Sequence, residues 1–235
     1  MSDVEVSAIV PLPAAVADNR AAAFARLAGD APLARAVRTM LGPARVSEQR
    51  RIVVVTAKQL IDEVRECLAA HELSSVAVVD GGADRRQCVA VGLEYVAGES
   101  ISTQFVLVHD YRRPLTPADV CDRVVARLRS GSAVVIPAFP LTDSVKAVDS
   151  RGRVVGTVDR SKLATAQYPR GFTVDRLAQL VGAGPAEVFD EVGEAIRAGV
   201  QLTVVQGDPD AFAVDMAHDS QLVEAIISAR QAERR

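Results

Sequence analysis

The sequence predicts an α/β fold, with a mostly parallel sheet flanked by helices, in a single domain over residues 1–235. Three observations carry that expectation. Short β-branched runs recur along the chain with helix-like stretches between them. The runs are apolar nearly throughout rather than alternating, as strands covered on both faces are. Hydrophobic residues make up 49% of the 235, enough for one sizeable core.

Taken in order, the strands are "SAIVP" (7–11), "RIVVVTA" (51–57), "SVAVVDG" (75–81), "QFVLVHD" (104–110), "AVVIPA" (133–138) and "LTVVQG" (202–207). Helices are expected over 31–42, 58–72, 85–97, 117–130, 173–183, 186–199 and 217–233. In "TPADV" (116–120), Thr116 reads as an N-cap, Pro117 as the first helical residue and Asp119 as a first-turn acid. The βαβ alternation predicts a doubly wound sheet with right-handed crossovers. Residues 140–172 break the rhythm: a polar hairpin around Ser150-Arg151-Gly152 with alternating strands on each side. The segment is too polar for core and too long for an idle connection, so it reads as a protruding arm that packs on a partner.

Composition limits the function classes. A formal net charge of −3 gives no global field favouring nucleic acid or anionic membranes, so neither is an expected partner. No apolar run approaches a transmembrane length, and "MSDVEVS" at the start lacks a basic leader region. Cys67, Cys88 and Cys121 are far apart and form no C-x-x-C pair, which argues against a disulfide scaffold or a zinc ribbon. A cytoplasmic location is expected.

In a doubly wound sheet, ligands bind at the carboxyl ends of the strands. One such end carries "GGADRRQCV" (81–89). There Gly81 and Gly82 permit close backbone approach, and Arg85 opens a helix whose N-terminus favours anions. A plain strand-to-helix turn explains the same residues. Another carries "VHDYRRPLTP" (108–117), where Asp110 occupies the usual place of a Mg²⁺ ligand, followed by Arg112 and Arg113. The alternative has Asp110 capping the loop and both arginines solvated. His109, in the strand, reads as a satisfied core residue.

Together these stretches resemble the 2-C-methyl-D-erythritol 4-phosphate cytidylyltransferase family of the non-mevalonate isoprenoid pathway over nearly the whole chain. The matching stretches are "AIVP" (8–11), "GGADRR…V" (81–89), "FVLVHDYRRPLTP" (105–117), "VIPAFPLTDSVKAVD" (135–149), "VDRSKLATAQYPRGF" (158–172) and "VVQGDPDAF" (204–212). The resemblance implies a Rossmann-like nucleotidyltransferase fold and a homodimer formed through the β-arm. It also implies a reaction joining CTP to methylerythritol phosphate, a phosphorylated polyol, with Mg²⁺ and release of pyrophosphate. Carried over residue by residue, it makes Asp110 the metal ligand and a contact to both substrates. Arg113 becomes a catalytic cation. Gly81 and Gly82 lie beside the cytosine with Ala83, Arg85 and Cys88, and Thr142 and Arg160 of the arm hold the acceptor. Tyr111, Tyr168 and Phe189 fall at further acceptor-facing positions.

The departures from the family pattern fall on the chemistry. The family's glycine-containing loop, P-A-A-G-x-G-x-R followed by P-K, is replaced by "PLPAAVADNRAAAF" (11–24). Pro11, Leu12 and Pro13 therefore stand where phosphate contacts are implied, and Pro13 has no N–H to offer. The lysine of that loop aligns with Ala22, and a second lysine near the C-terminus aligns with Ala213. Arg20 is the candidate substitute for the lost cations. Phosphoryl transfer asks a protein mainly to position phosphates and neutralise their charge. Catalysis is accordingly expected to be impaired or lost. An active transferase for this or another phosphorylated acceptor stands as one alternative, and a non-catalytic regulatory or dimer-partner protein as another.

Overall fold

The computed structural model describes residues 5–42, 44–99, 102–183 and 189–233. Its central sheet is built on β1 (Glu5–Leu12), flanked on one side by β2 (Ile52–Thr56) and β3 (Ala77–Asp80) and on the other by β4 (Thr103–Val108). These four strands run parallel. Every residue of β2 is buried, which is why "IVVVT" shows no alternation: helices cover both of its faces. Beyond β4 lie β9 (Arg170–Thr173), β5 (Val134–Pro140) and β10 (Thr203–Gln206), in the overall order β10-β5-β9-β4-β1-β2-β3. β9 runs antiparallel to both its neighbours, while β5 and β10 are parallel.

Strand residues sort by period two into two cores. Ala8, Val10, Leu12, Val54 and Leu107 point to the layer formed with α2 (Pro32–Met40), α3 (Ile61–Ala69) and α5 (Ala118–Arg129). Ile9, Val53, Val55, Val106 and Val108 point to the layer of α4 (Arg85–Glu99), α6 (Val174–Gly182) and α7 (Glu191–Arg197). Helix α4 lies directly on β1: a Cβ on Gly92 would stand 2.6 Å from the Ile9 side chain. The last helix, α8 (Met216–Glu233), closes a small third cluster of Leu27, Leu115, Val214, Val223 and Ile227. A single helical turn, α1 (Ala21–Phe24), follows the loop after β1.

The arm is smaller than residues 140–172. Strands β6 (Val145–Val148) and β7 (Val154–Val158) pair only with each other among the described strands. Residues 164–166, the strand β8, instead pair with β5, and 170–173 sit in the middle of the main sheet. The sequence hid β9 because "RGFT" is short and polar, and its place is fixed from outside. Gly171 lets α5 press on it, since a Cβ there would meet Val124 at 2.5 Å. Helix α5 also begins one residue later than the Thr-Pro signal suggests, with Pro117 in the N-cap position. The Thr116 hydroxyl is engaged in donating to the Arg113 carbonyl at 3.0 Å, so it does not cap. Of the helix expected over 186–199, residues 191–197 are helical and 184–188 lie outside the described residues.

Candidate functional site

A cavity of about 570 Å³ opens at the carboxyl ends of β1 and β4. Its floor is Pro11, Asp110 and Tyr111, and Arg85 and Arg112 enter from the sides. The wall supplied by the loop after β1 is Pro13, Ala15, Val16, Asn19 and Ala22. The opposite wall comes from the chain leading into α8: Ala213, Val214, Asp215 and Met216. Ala22 and Ala213, which the resemblance aligns with the family's two lysines, both line this cavity. Neither wall carries a basic side chain, and apart from the Asn19 amide the loop contributes apolar side chains where phosphate oxygens would need donors.

The loop itself is a 3₁₀ turn over Ala14–Asp18, not a phosphate cradle. Its backbone donors are partly spent internally. Ala14 N–H donates to the Gly82 carbonyl at 3.1 Å, and Val16 N–H donates to the Pro13 carbonyl at 2.9 Å. Arg20 turns away from the cavity and pairs with Glu63 on the surface.

Asp110 is the electrostatic centre. Its carboxylate is buried and accepts from Arg112 three times: the backbone N–H at 3.0 Å, Nε at 3.1 Å and Nη2 at 2.7 Å. Burial alone would raise its pKa. The hydrogen bonds and charge of Arg112, with the charge of Arg85, outweigh that and hold it down at about 2. So Asp110 does cap its loop, as the plainer sequence reading had it, but Arg112 is bound to it and not merely solvated. Neighbouring His109 is fully buried and neutral, its pKa pushed down to about 4 by desolvation. Both ring nitrogens lack a hydrogen-bond partner among the described residues. It is a core residue, then, but not a satisfied one.

Mg²⁺ in nucleotide chemistry is held by one or two carboxylates together with phosphate oxygens and water. Asp110 supplies the carboxylate, but the Arg112 guanidinium already spans both its oxygens, with two bonds to Oδ1 counting the backbone N–H and one to Oδ2. Among the described residues, no group of three or more His, Cys, Asp or Glu side chains gathers in a metal-holding arrangement. With Arg112 positively charged on the one carboxylate that would hold it, this arrangement does not fit a divalent cation.

Several other residues singled out in the sequence stand away from the cavity. Arg113 reaches instead into the protein, donating to the carbonyls of Ala211 and Ala166, and so ties three segments together. Tyr168 is buried, with the guanidiniums of Arg170, Arg85 and Arg113 at 4.2, 5.3 and 5.3 Å from its ring centroid. Burial, reinforced by the charge of Glu191, pushes its phenol up to about 12. Phe189 packs in the second core under Arg86. Leu12 is core, and Cys88 is fully buried with its thiol pushed up to about 12 by desolvation. The Cys88 sulfur explains the glycine at 82, where a Cβ would stand 2.1 Å from it; Gly81 makes the same kind of room for Val91. Ala83 N–H donates to Gln87 Oε1 at 3.2 Å. On the arm, Arg160 donates to the Thr142 carbonyl. The sequence reading missed Val214, Asp215 and Met216, because nothing local marks a chain segment that returns from far away to form a wall.

A parallel sheet with its cavity at the strand ends and a detached hairpin defines a nucleotidyltransferase architecture of the α/β class. Solved structures share it across nearly the whole chain. The 4-diphosphocytidyl-2C-methyl-D-erythritol synthase of Anaerococcus prevotii superposes with a TM-score of 0.79 at 20% identity, covering 95% of this chain and 96% of that one. The 2-C-methyl-D-erythritol 4-phosphate cytidylyltransferase of Thermus thermophilus superposes at 0.72 and 23% identity, covering 95% and 99%. Sequence similarity carries further than fold. Residues 9–229 match the 2-C-methyl-D-erythritol 4-phosphate cytidylyltransferase family. The proteins of that name from Rhodococcus opacus and Rhodococcus jostii are 37% and 36% identical to this chain. The first match covers 89% of this chain and 88% of its relative; the second covers 97% and 98%. The chain belongs to this family.

Proposed function

We propose that this protein is a cytidylyltransferase-family member in which transfer of a cytidylyl group from CTP to methylerythritol phosphate is impaired or lost. The observation that carries the reading is the composition of the cavity walls. Pro13, Ala15, Val16, Ala22 and Ala213 line the space in which a triphosphate would need N–H donors and cations. Removing a single preorganised donor of this kind typically costs about 10²–10³ in rate. Here one loop and two cationic positions are altered at once, although such losses do not simply add. A pyrophosphate-release assay with CTP, methylerythritol phosphate and Mg²⁺ tests the reading. Turnover is expected at least about 10³-fold below that of a relative with the glycine loop and both lysines. A rate within tenfold of that relative overturns it.

The reading extends to a cytoplasmic homodimer formed through the arm. No helix of the described residues is long and apolar enough to cross a membrane. Val148 and Val154, register partners on β6 and β7, are 60% and 65% exposed, an apolar pair on one face of the hairpin that a second copy would cover. Light scattering at micromolar concentration should give twice the 24.9 kDa chain mass, and a stable monomer would refute the dimer.

A further inference from the structure

Two guanidiniums face the cavity, and both are braced from behind. Arg85 donates through Nε to Glu191 at 2.9 Å and through Nη2 to the Tyr168 hydroxyl at 3.1 Å. Arg112 donates through Nε and Nη2 to the two oxygens of Asp110. In each case Nη1, with its two N–H groups, has no partner among the described residues. Both side chains line the cavity. Arg85 is enclosed, while the Arg112 side chain is 54% exposed. A braced arginine loses little freedom on binding and presents donors in a fixed plane, the geometry that suits a phosphate.

The number of cationic donors sets the size of the anion. Arg85, Arg112 and Arg170 supply three positive charges, and Asp110, Glu191 and Asp190 behind them supply three negative ones. A further carboxylate, Asp215, stands on the opposite wall. The seat is rich in directed hydrogen-bond donors but has no surplus charge. Two braced guanidiniums offer directed donors for one phosphate group, and among the described residues no further cation lines the cavity for the outer two of a triphosphate.

We propose that Arg112 takes the place of a divalent cation on Asp110 and that, with Arg85, it forms a metal-independent seat for a single phosphomonoester. The inference rests on the reading that this cavity is the ligand site of the fold. The tethered guanidinium links carboxylate to phosphate as a bridging metal would, without an exchangeable ion. Two sources share the required chemistry, a nucleoside monophosphate and a phosphorylated polyol.

Calorimetry on the full chain tests this with CMP, methylerythritol phosphate and inorganic phosphate, each in EDTA and in excess Mg²⁺. Wild-type protein is expected to bind at least one of the two organic phosphates with affinities that agree within about twofold between EDTA and Mg²⁺. CMP binding identifies a nucleotide source, and methylerythritol phosphate binding a polyol source. Arg112→Ala should weaken binding at least tenfold in EDTA and recover much of it in Mg²⁺, because Asp110 is then open to the metal. Arg112→Ala combined with Asp110→Asn should lose the recovery. Arg112→Gln, which keeps the length of the side chain, serves as a second probe if the alanine variant folds poorly. Wild-type binding that is tenfold tighter with Mg²⁺, or Arg112 variants that bind like wild type in EDTA, would overturn the metal-free seat while leaving the cavity as the ligand site. Failure of both organic phosphates to bind at all would overturn the site reading as well.

Discussion

Replacing Glu191 by alanine should lower the melting temperature by roughly 10 °C, the largest stability effect expected of any single substitution near the site. The Glu191 side chain is fully buried and holds two arginines at once. Arg85 Nη2 lies 2.9 Å from Oε1, and Arg170 Nη1 donates to Oε2 at 2.6 Å. Arg170 is itself buried, and its other acid, Asp190, is half-exposed. Removing Glu191 therefore leaves Arg85 without the carboxylate it is bonded to among the described residues and Arg170 with a partly wet one. Breaking a buried ion pair from one side typically costs about 3–5 kcal/mol, because the remaining charge cannot return to water. In a domain of this size each kcal/mol moves the midpoint by roughly 2–4 °C. Glu191→Gln keeps the shape and one acceptor oxygen, so it should fall between wild type and alanine. Glu63→Ala is the control: its pair with Arg20 is largely exposed, and exposed pairs are worth about 0–1 kcal/mol. Equal melting temperatures for Glu191→Ala and Glu63→Ala would show that the cluster around Tyr168 is held by packing alone.

That cluster also shows where sequence reasoning stops. All six apolar runs became strands of the main sheet; in β1 and β2 burial on both faces is written into consecutive residues, while the edge strands β3 and β10 were read from their β-branched residues. Helices α2 to α8 were legible from breaks in those runs, although the Thr116 cap was not formed and α7 is shorter than expected. Strand β9 was not, since Arg170 and Gly171 look like a turn until α5 and the Glu191 ion pair are in place. The strand-end carboxylate Asp110 was visible by position. What Asp110 touches was not: the clasp by Arg112 depends on the turn between them, pinned by Val214 N–H donating to the Arg112 carbonyl at 2.7 Å. Ala22 and Ala213 drew attention one by one, through the resemblance. That they face the same cavity follows only from the return of the chain ahead of α8.

CTP is expected to bind no more than about tenfold more tightly than CMP, and this second prediction bears directly on function. The comparison isolates the two outer phosphates, since base, sugar and first phosphate are common to both ligands. A charge-assisted hydrogen bond to phosphate is worth about 1.5–3 kcal/mol. Loss of the two lysine positions therefore removes on the order of 3–6 kcal/mol, or roughly 10²–10⁴ in affinity, that an intact site would give to the triphosphate. The walls now in those places, Ala15, Val16, Ala22 and Ala213, return none of it, and desolvating charged oxygens against methyl groups costs more. Asp215 on the far wall adds repulsion. Arg20 is the one basic residue of the loop, but it is paired with Glu63 on the surface, so Arg20→Ala should change either affinity less than twofold. Ala22→Lys restores one cation on the loop wall and should tighten CTP at least tenfold while leaving CMP nearly unchanged. Calorimetry on wild type and both variants reads all of these ratios. A wild-type preference for CTP of a hundredfold or more, abolished by Arg20→Ala, would mean that the loop rearranges around the triphosphate and that Arg20 swings in to replace the missing lysines.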